Sequence, residues 1–152
     1  MKLVEWDGSL CLGVGAMDDV HKKMISFFND LVAASAAGVE ARAFNAALKN
    51  LIDHTADHFH HEEAMMHEAD YYDLAAHRAE HEVLLNSAMM LQKKAATEKS
   101  KAMNSYALSF LRSWLIGHIL EADKKFAQFL LCPLADPARQ GSGPGRAQVA
   151  VG

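Results

Sequence analysis

Apolar residues recur every three to four positions over four long stretches, the period expected of helices with one buried face. Met24, Ile25, Phe28, Leu31 and Val32 form the first stripe, and Phe44, Leu48, Leu51, Thr55, Phe59, Met65 and Met66 the second. Leu74, Leu84, Leu85 and Ala88 form the third, and Leu111, Trp114 and Leu115 the fourth. Punctuation residues bound these stretches. Asp18 or Asp19 is a fair N-cap for a first helix that stops at Gly38. A second is expected from Glu40 to His67 and a turn over residues 68–72. Asp73 caps a third that runs to Thr97, and Ser100 opens a fourth that ends near Leu131, just before Pro133. Few residues between Asp18 and Leu131 favour strands, and the connections are short. The expected fold class is therefore all-α, an antiparallel up-down four-helix bundle. An extended N-terminal arm, with Gly8, Gly13 and Gly15, precedes it. Residues 133–152 are rich in Pro and Gly without an apolar period, so a disordered tail is expected to follow a domain of residues 1–132.

Histidine changes this picture. The chain has nine, and imidazole is the commonest metal-ligand side chain. Successive helical residues turn by about 100°, which decides who shares a face. His21 lies one turn upstream on the first stripe. His58 and Glu62 fall inside the second, His77 and His81 inside the third, and His118 follows the fourth. Every helix thus aims at least one histidine inward. A buried charge costs several kcal/mol unless it is paired or metal-bound. The pairs His58/Glu62 and His77/His81 are spaced (i, i+4), so each presents two donors on one face as a ready clip. Five inward histidines at one level point to a metal site. Asp123 stands apart: five residues after His118 is about 140° round an ideal helix, so spacing alone leaves it a ligand or a surface residue. A local π-type widening would bring it into line.

Composition sets the surroundings. The 152 residues are 51% hydrophobic and 22% charged, ordinary for a globular domain, and the formal charge of −4 offers no basic field for nucleic acid. Residues 1–6 lack the apolar core of a signal peptide, and no run of about 18 apolar residues spans a membrane. Two cysteines, Cys11 and Cys132, sit in apolar company and suit a reducing compartment as buried, inert thiols. A soluble, cytoplasmic monomer is the expectation.

The order of motifs resembles the hemerythrin family in its short bacterial form. The arm Trp6…Leu12-Gly13-Val14…Met17-Asp18…His21 is similar to the family's opening. His58-Phe59…Glu62-Glu63…Met66 resembles its HF-x-x-EE-x-x-M motif, Tyr72…His77…His81 its H-x-x-x-H pair, and Trp114-Leu115…His118-Ile119…Asp123 its WL-x-x-HI-x-x-x-D motif. Val20 departs from the glutamine usual before the first histidine. The resemblance implies two non-haem irons, one on His77, His81 and His118 and the other on His21 and His58. Glu62 and Asp123 would bridge them together with an oxo or hydroxo group. It implies dioxygen at the one open position, held reversibly for storage, transport or delivery and not turned over. Ile25, Phe59, Trp114, Leu115 and Ile119 are candidates for the dry wall around it. The alternatives are an oxygen or redox sensor acting through a protein partner, a slow oxidase, or a nitric-oxide-handling protein. Ferritin-like oxidases need inward Glu-x-x-His pairs, which are missing here. A lone tetrahedral zinc needs fewer donors.

The remaining candidates read as background. His60 and His67 point to solvent, and His54 and His61 flank the second stripe with room for a supporting role. Glu63 and Glu80 read as solvated helix faces. Met65, Met66, Met89 and Met90 read as core filler, and Trp6 as a residue packing the arm on the bundle.

Overall fold

The computed structural model describes residues 1–38 and 40–132, and the four stripes become four rods. Helix α1 spans Gly15–Ala36, α2 Ala41–Glu68, α3 Leu74–Glu98 and α4 Lys101–His118. The fourth rod continues through a π-helical turn, Ile119–Asp123, into α5, Lys124–Leu131. Each connection is a handful of residues, so successive rods must run back alongside one another. α1 packs on α2 and α4, and α3 on α2 and α4, closing a four-helix ring. The expected tail, residues 133–152, lies outside the described residues.

The stripes face inward as their period requires. Phe28, Phe44, Leu48 and Phe126 have no exposed surface, and Leu31, Leu51, Met66, Leu111 and Leu115 are buried around them. Burying such side chains contributes about 1.5–3 kcal/mol each, and this term holds the rods together. Leu74, Leu84 and Leu85 are only partly buried at the edge of the core. Met89 and Met90, expected as filler, are exposed instead, Met90 by 71%. They follow Ala88 on α3, and a one- or two-residue step round the helix carries them off the buried face.

Local chemistry sets the ends. Ser100 caps α4 by accepting from the Met103 N–H at 3.0 Å. Gly38 adopts φ +65°, left-handed backbone that glycine enters without a Cβ clash, and α1 stops just before it. Asp70 also has positive φ, and the Tyr71 N–H returns to the Met66 carbonyl at 2.9 Å. That turn buries Tyr71 against the rings of Phe126 and Phe129 on α5. Asp73 makes no side-chain cap on α3; it pairs with Lys125 of α5.

Asp18 does not cap the first helix either. α1 begins three residues earlier, after Val14, and Asp18 lies buried in its first turn. Its carboxylate accepts from the N–H groups of Leu12 and Gly13 at 2.8 and 3.1 Å and from the Cys11 thiol at 3.3 Å. Gly13, at φ +81°, makes the turn that lets both N–H groups face it. The arm is thus tied to α1, and Lys22 lies over the Trp6 ring. Asn29 adds two bonds to the backbone of Val4. Cys11 and Cys132 are both exposed, contrary to the expected burial: Cys11 stands between buried Leu10 and Leu12 in the extended arm, and Cys132 follows the last residue of α5.

Candidate metal centre

The seven predicted side chains meet in the middle of the bundle, and all are buried. α1 supplies His21, α2 His58 and Glu62, α3 His77 and His81, and the fourth rod His118 and Asp123. Their donor atoms form two groups, each compact enough for one ion. One comprises Glu62, His77, His81, His118 and Asp123; the other comprises His21, His58 and Asp123.

The π turn resolves the awkward spacing. Five residues make about one turn of a π-helix, so Asp123 comes back under His118. Asp123 Oδ1 lies 3.0 Å from His118 Nε2 and 3.2 Å from His77 Nε2, while Oδ2 lies 3.0 Å from His21 Nε2. The carboxylate thus turns one oxygen toward each group. Glu62 Oε2 sits 3.3 Å from His81 Nε2, 3.6 Å from His77 Nε2 and 3.8 Å from His58 Nε2.

Several of these atoms have no conventional partner. His21 Nε2, His58 Nε2 and the four oxygens of Glu62 and Asp123 are buried without a well-formed hydrogen bond. The Nε2 atoms of His77 and His81 lie 3.3 and 2.9 Å from that of His118. Lone pairs packed so closely repel unless a proton or a cation lies among them. Neighbouring donors on an octahedral ion with bonds of about 2.1 Å stand about 3 Å apart, close to the 3.3 and 2.9 Å between the histidine Nε2 atoms. The donor set fits metal.

The outward nitrogens explain how the rings are aimed. His81 Nδ1 lies 3.0 Å from Glu63 Oε1, and His118 Nδ1 lies 2.9 Å from Glu80 Oε1. Such carboxylates fix the tautomer, placing the proton on Nδ1 and leaving Nε2 free as a donor. Glu63 also takes Arg78 Nε at 2.9 Å. The sequence predicts solvated helix faces at Glu63 and Glu80, yet Glu63 is only 19% exposed and both reach inward. The signal that finds them is the unmet need of each inward imidazole for an acceptor. Phe59 completes the setting by stacking on His81 with centroids 3.6 Å apart.

Electrostatics follow from burial and the two carboxylates. Burial pushes His58 down to about 3 and His81 to about 4, so both are neutral at pH 7. Burial opposes the cationic form of His118 as well, but Asp123 and Glu80 outweigh it and raise His118 to about 9. Burial, reinforced by the charge of Asp123, lifts Glu62 to about 8. Burial also opposes the charge on Asp123, yet the imidazoles of His118, His21 and His77 hold it well below the usual carboxylate range.

His60, His61 and His67 lie outside this cluster and are exposed, and His54 is half-buried beside it. The five candidates for a dry wall, Ile25, Phe59, Trp114, Leu115 and Ile119, are all buried.

An antiparallel four-helix bundle with a histidine-rich, carboxylate-linked donor cluster at its centre defines a class of metal-binding bundle. The sequence pattern described as "Hemerythrin HHE cation binding domain" matches residues 12–130, so the chain belongs to the hemerythrin family. It is 34% identical over 131 residues to a bacteriohemerythrin of Methylococcus capsulatus, covering 86% of this chain and 98% of that one. It is 28% identical over 121 residues to a hemerythrin-like protein of Naegleria gruberi, covering 80% and 88%. A wild-type hemerythrin crystal structure superposes with a TM-score of 0.75 at 34% identity, covering 83% of this chain and 96% of that one. Among the described residues no helix is long and apolar enough to cross a membrane.

Proposed function

We propose that this protein binds dioxygen reversibly at a pair of non-haem irons. The observation that carries the reading is Asp123, whose two oxygens face two separate histidine groups at 3.0–3.2 Å. His77, His81 and His118 would hold one iron, His21 and His58 the other, with Glu62 and Asp123 shared between them. The second group has fewer protein donors, which favours it as the end that accepts a ligand from outside. When bound, the irons supply the electrons that dioxygen takes up on binding and recover them on its release.

The chain's own residues make that exchange reversible. Glu63 and Glu80 hold His81 and His118 with Nε2 turned inward. Burial keeps His58 and His81 neutral, the form that donates a lone pair. Phe59, Trp114, Leu115, Ile25 and Ile119 exclude water and outside reductants, which favours holding oxygen over consuming it. Five histidines against two carboxylates point the same way. The names carried by the relatives, bacteriohemerythrin and hemerythrin-like protein, are those of the same family and support the reading at that level.

Iron analysis with an oxygen titration tests the reading. Purified protein is expected to hold one iron for each of the two donor groups. Its colourless ferrous form is expected to turn pink-red in air and bleach under vacuum. A protein that takes up one iron, or that shows no reversible colour, ends this reading. Sustained oxygen consumption with a reductant would make it an oxidase.

A further inference from the structure

We infer that a cleft between α1 and α2 is the port through which small uncharged molecules reach the His21/His58 half of the cluster, and that Val20 controls its width. The inference rests on the metal reading above for its destination, but the cleft itself does not depend on it. His58 and Glu62 form part of its wall, so the opening leads to the centre. Its apolar wall is Met17, Val20 and Met65. The cleft holds about 480 Å³, against about 30 Å³ for a water molecule in the liquid, so it conducts a diatomic molecule without clasping it.

Charge selects what enters. Asp57 lines the cleft, and no lysine or arginine does, so nothing in the wall attracts anions. His54 is half-buried there, and its Nε2 lacks a partner. Burial, with Lys23 nearby, holds His54 below the usual imidazole range, so it adds no positive charge at neutral pH. The contrast with the other side of the cluster is chemical. A smaller cleft of about 240 Å³ reaches His77, but Asp73, Glu80, Glu121 and Lys125 line it, and a polar, hydrated wall suits water and ions. An apolar molecule partitions into the first cleft. At Val20 a β-branched residue stands where the resembling family usually has glutamine, so the wall here lacks an amide.

Crystals of the purified full-length protein under xenon pressure test the port, since xenon is an uncharged probe of apolar space. Xenon is expected between Met17, Val20 and Met65, and to be lost in Val20→Trp. Stopped-flow association of nitric oxide with the ferrous protein is expected to slow about tenfold in Val20→Trp with the iron content unchanged. Val20→Ala should associate at least as fast as the parent, which controls for misfolding of the larger variant. Absence of xenon from the cleft, or equal association rates in the parent and a fully iron-loaded Val20→Trp, overturns the port. Xenon in the cleft of a protein that never binds dioxygen leaves the port standing and removes the dioxygen reading. Reversible oxygenation with an empty cleft does the reverse.

Discussion

His118 and Asp123 are five residues apart and face one point, Nε2 to Oδ1 at 3.0 Å, because the fourth rod winds as a π-helix from Ile119 to Asp123. An ideal α-helix would leave Asp123 about 140° round from His118 and turn it away from that point. Asp123 belongs to both donor groups. Asp123→Ala is therefore expected to lose metal from both, whereas His21→Ala loses it from one. Metal analysis after gel filtration separates the two results. Full loading of Asp123→Ala would remove it from the site.

Glu63 and Glu80 do the same work under different exposure. The Glu63 side chain is 19% exposed and that of Glu80 47%. Water substitutes for a lost acceptor more easily at the exposed position. Glu63→Ala is expected to weaken metal affinity about 10–100-fold, the usual range for an acceptor behind a ligand histidine, and Glu80→Ala by less. Competition against a chelator measures both, and equal losses would contradict the exposure argument.

Metal uptake should release protons. In the metal-free protein His118 sits near 9 and Glu62 near 8, so both carry a proton at pH 7. Metal binding needs both deprotonated. Release is expected at pH 7 and should fall away as the pH passes 9, where the metal-free protein has already lost those protons. A pH indicator in weak buffer reads it. His58 and His81, held near 3 and 4, contribute nothing at pH 7.

Asp18 tethers the arm, and its removal should be felt as stability. Asp18→Ala leaves the Leu12 and Gly13 N–H groups without their acceptor, at a cost of about 1–3 kcal/mol. Burial alone would raise its pKa, but the bonds from Leu12, Cys11 and Gly13 outweigh it and lower it below 3.8. A depressed carboxylate stabilises the fold above its unfolded value and loses that contribution as the pH falls. The difference between parent and Asp18→Ala in urea melts is thus expected to be full at neutral pH and to shrink as the pH drops below 3.8.

Much of this was legible in the sequence for a physical reason: helical periodicity and metal ligation both act through fixed spacing. The stripes through Phe28, Phe44 and Leu111 predict the core, and His58/Glu62 and His77/His81 predict the clip geometry. The family spacing of His118 and Asp123 supplied what an ideal helix denied, and the π turn gives its cause. What periodicity misses depends on contacts between rods. Glu63 meets His81 across eighteen positions and Glu80 meets His118 across thirty-eight, so no local pattern reports them. Asp18 looked like a cap because caps and tethers use the same residue types. Cys11 escaped because apolar sequence neighbours do not fix which side of an extended segment is buried: Leu10 and Leu12 are covered and Cys11 between them is not.

The donor set reaches from His21 to Asp123, with contributions from every rod between. A growing polypeptide consequently lacks the complete donor set until the fourth rod has left the ribosome. Loading is then a late event in the protein's birth, and an amputated fragment can hold at best a partial, leaky version of it.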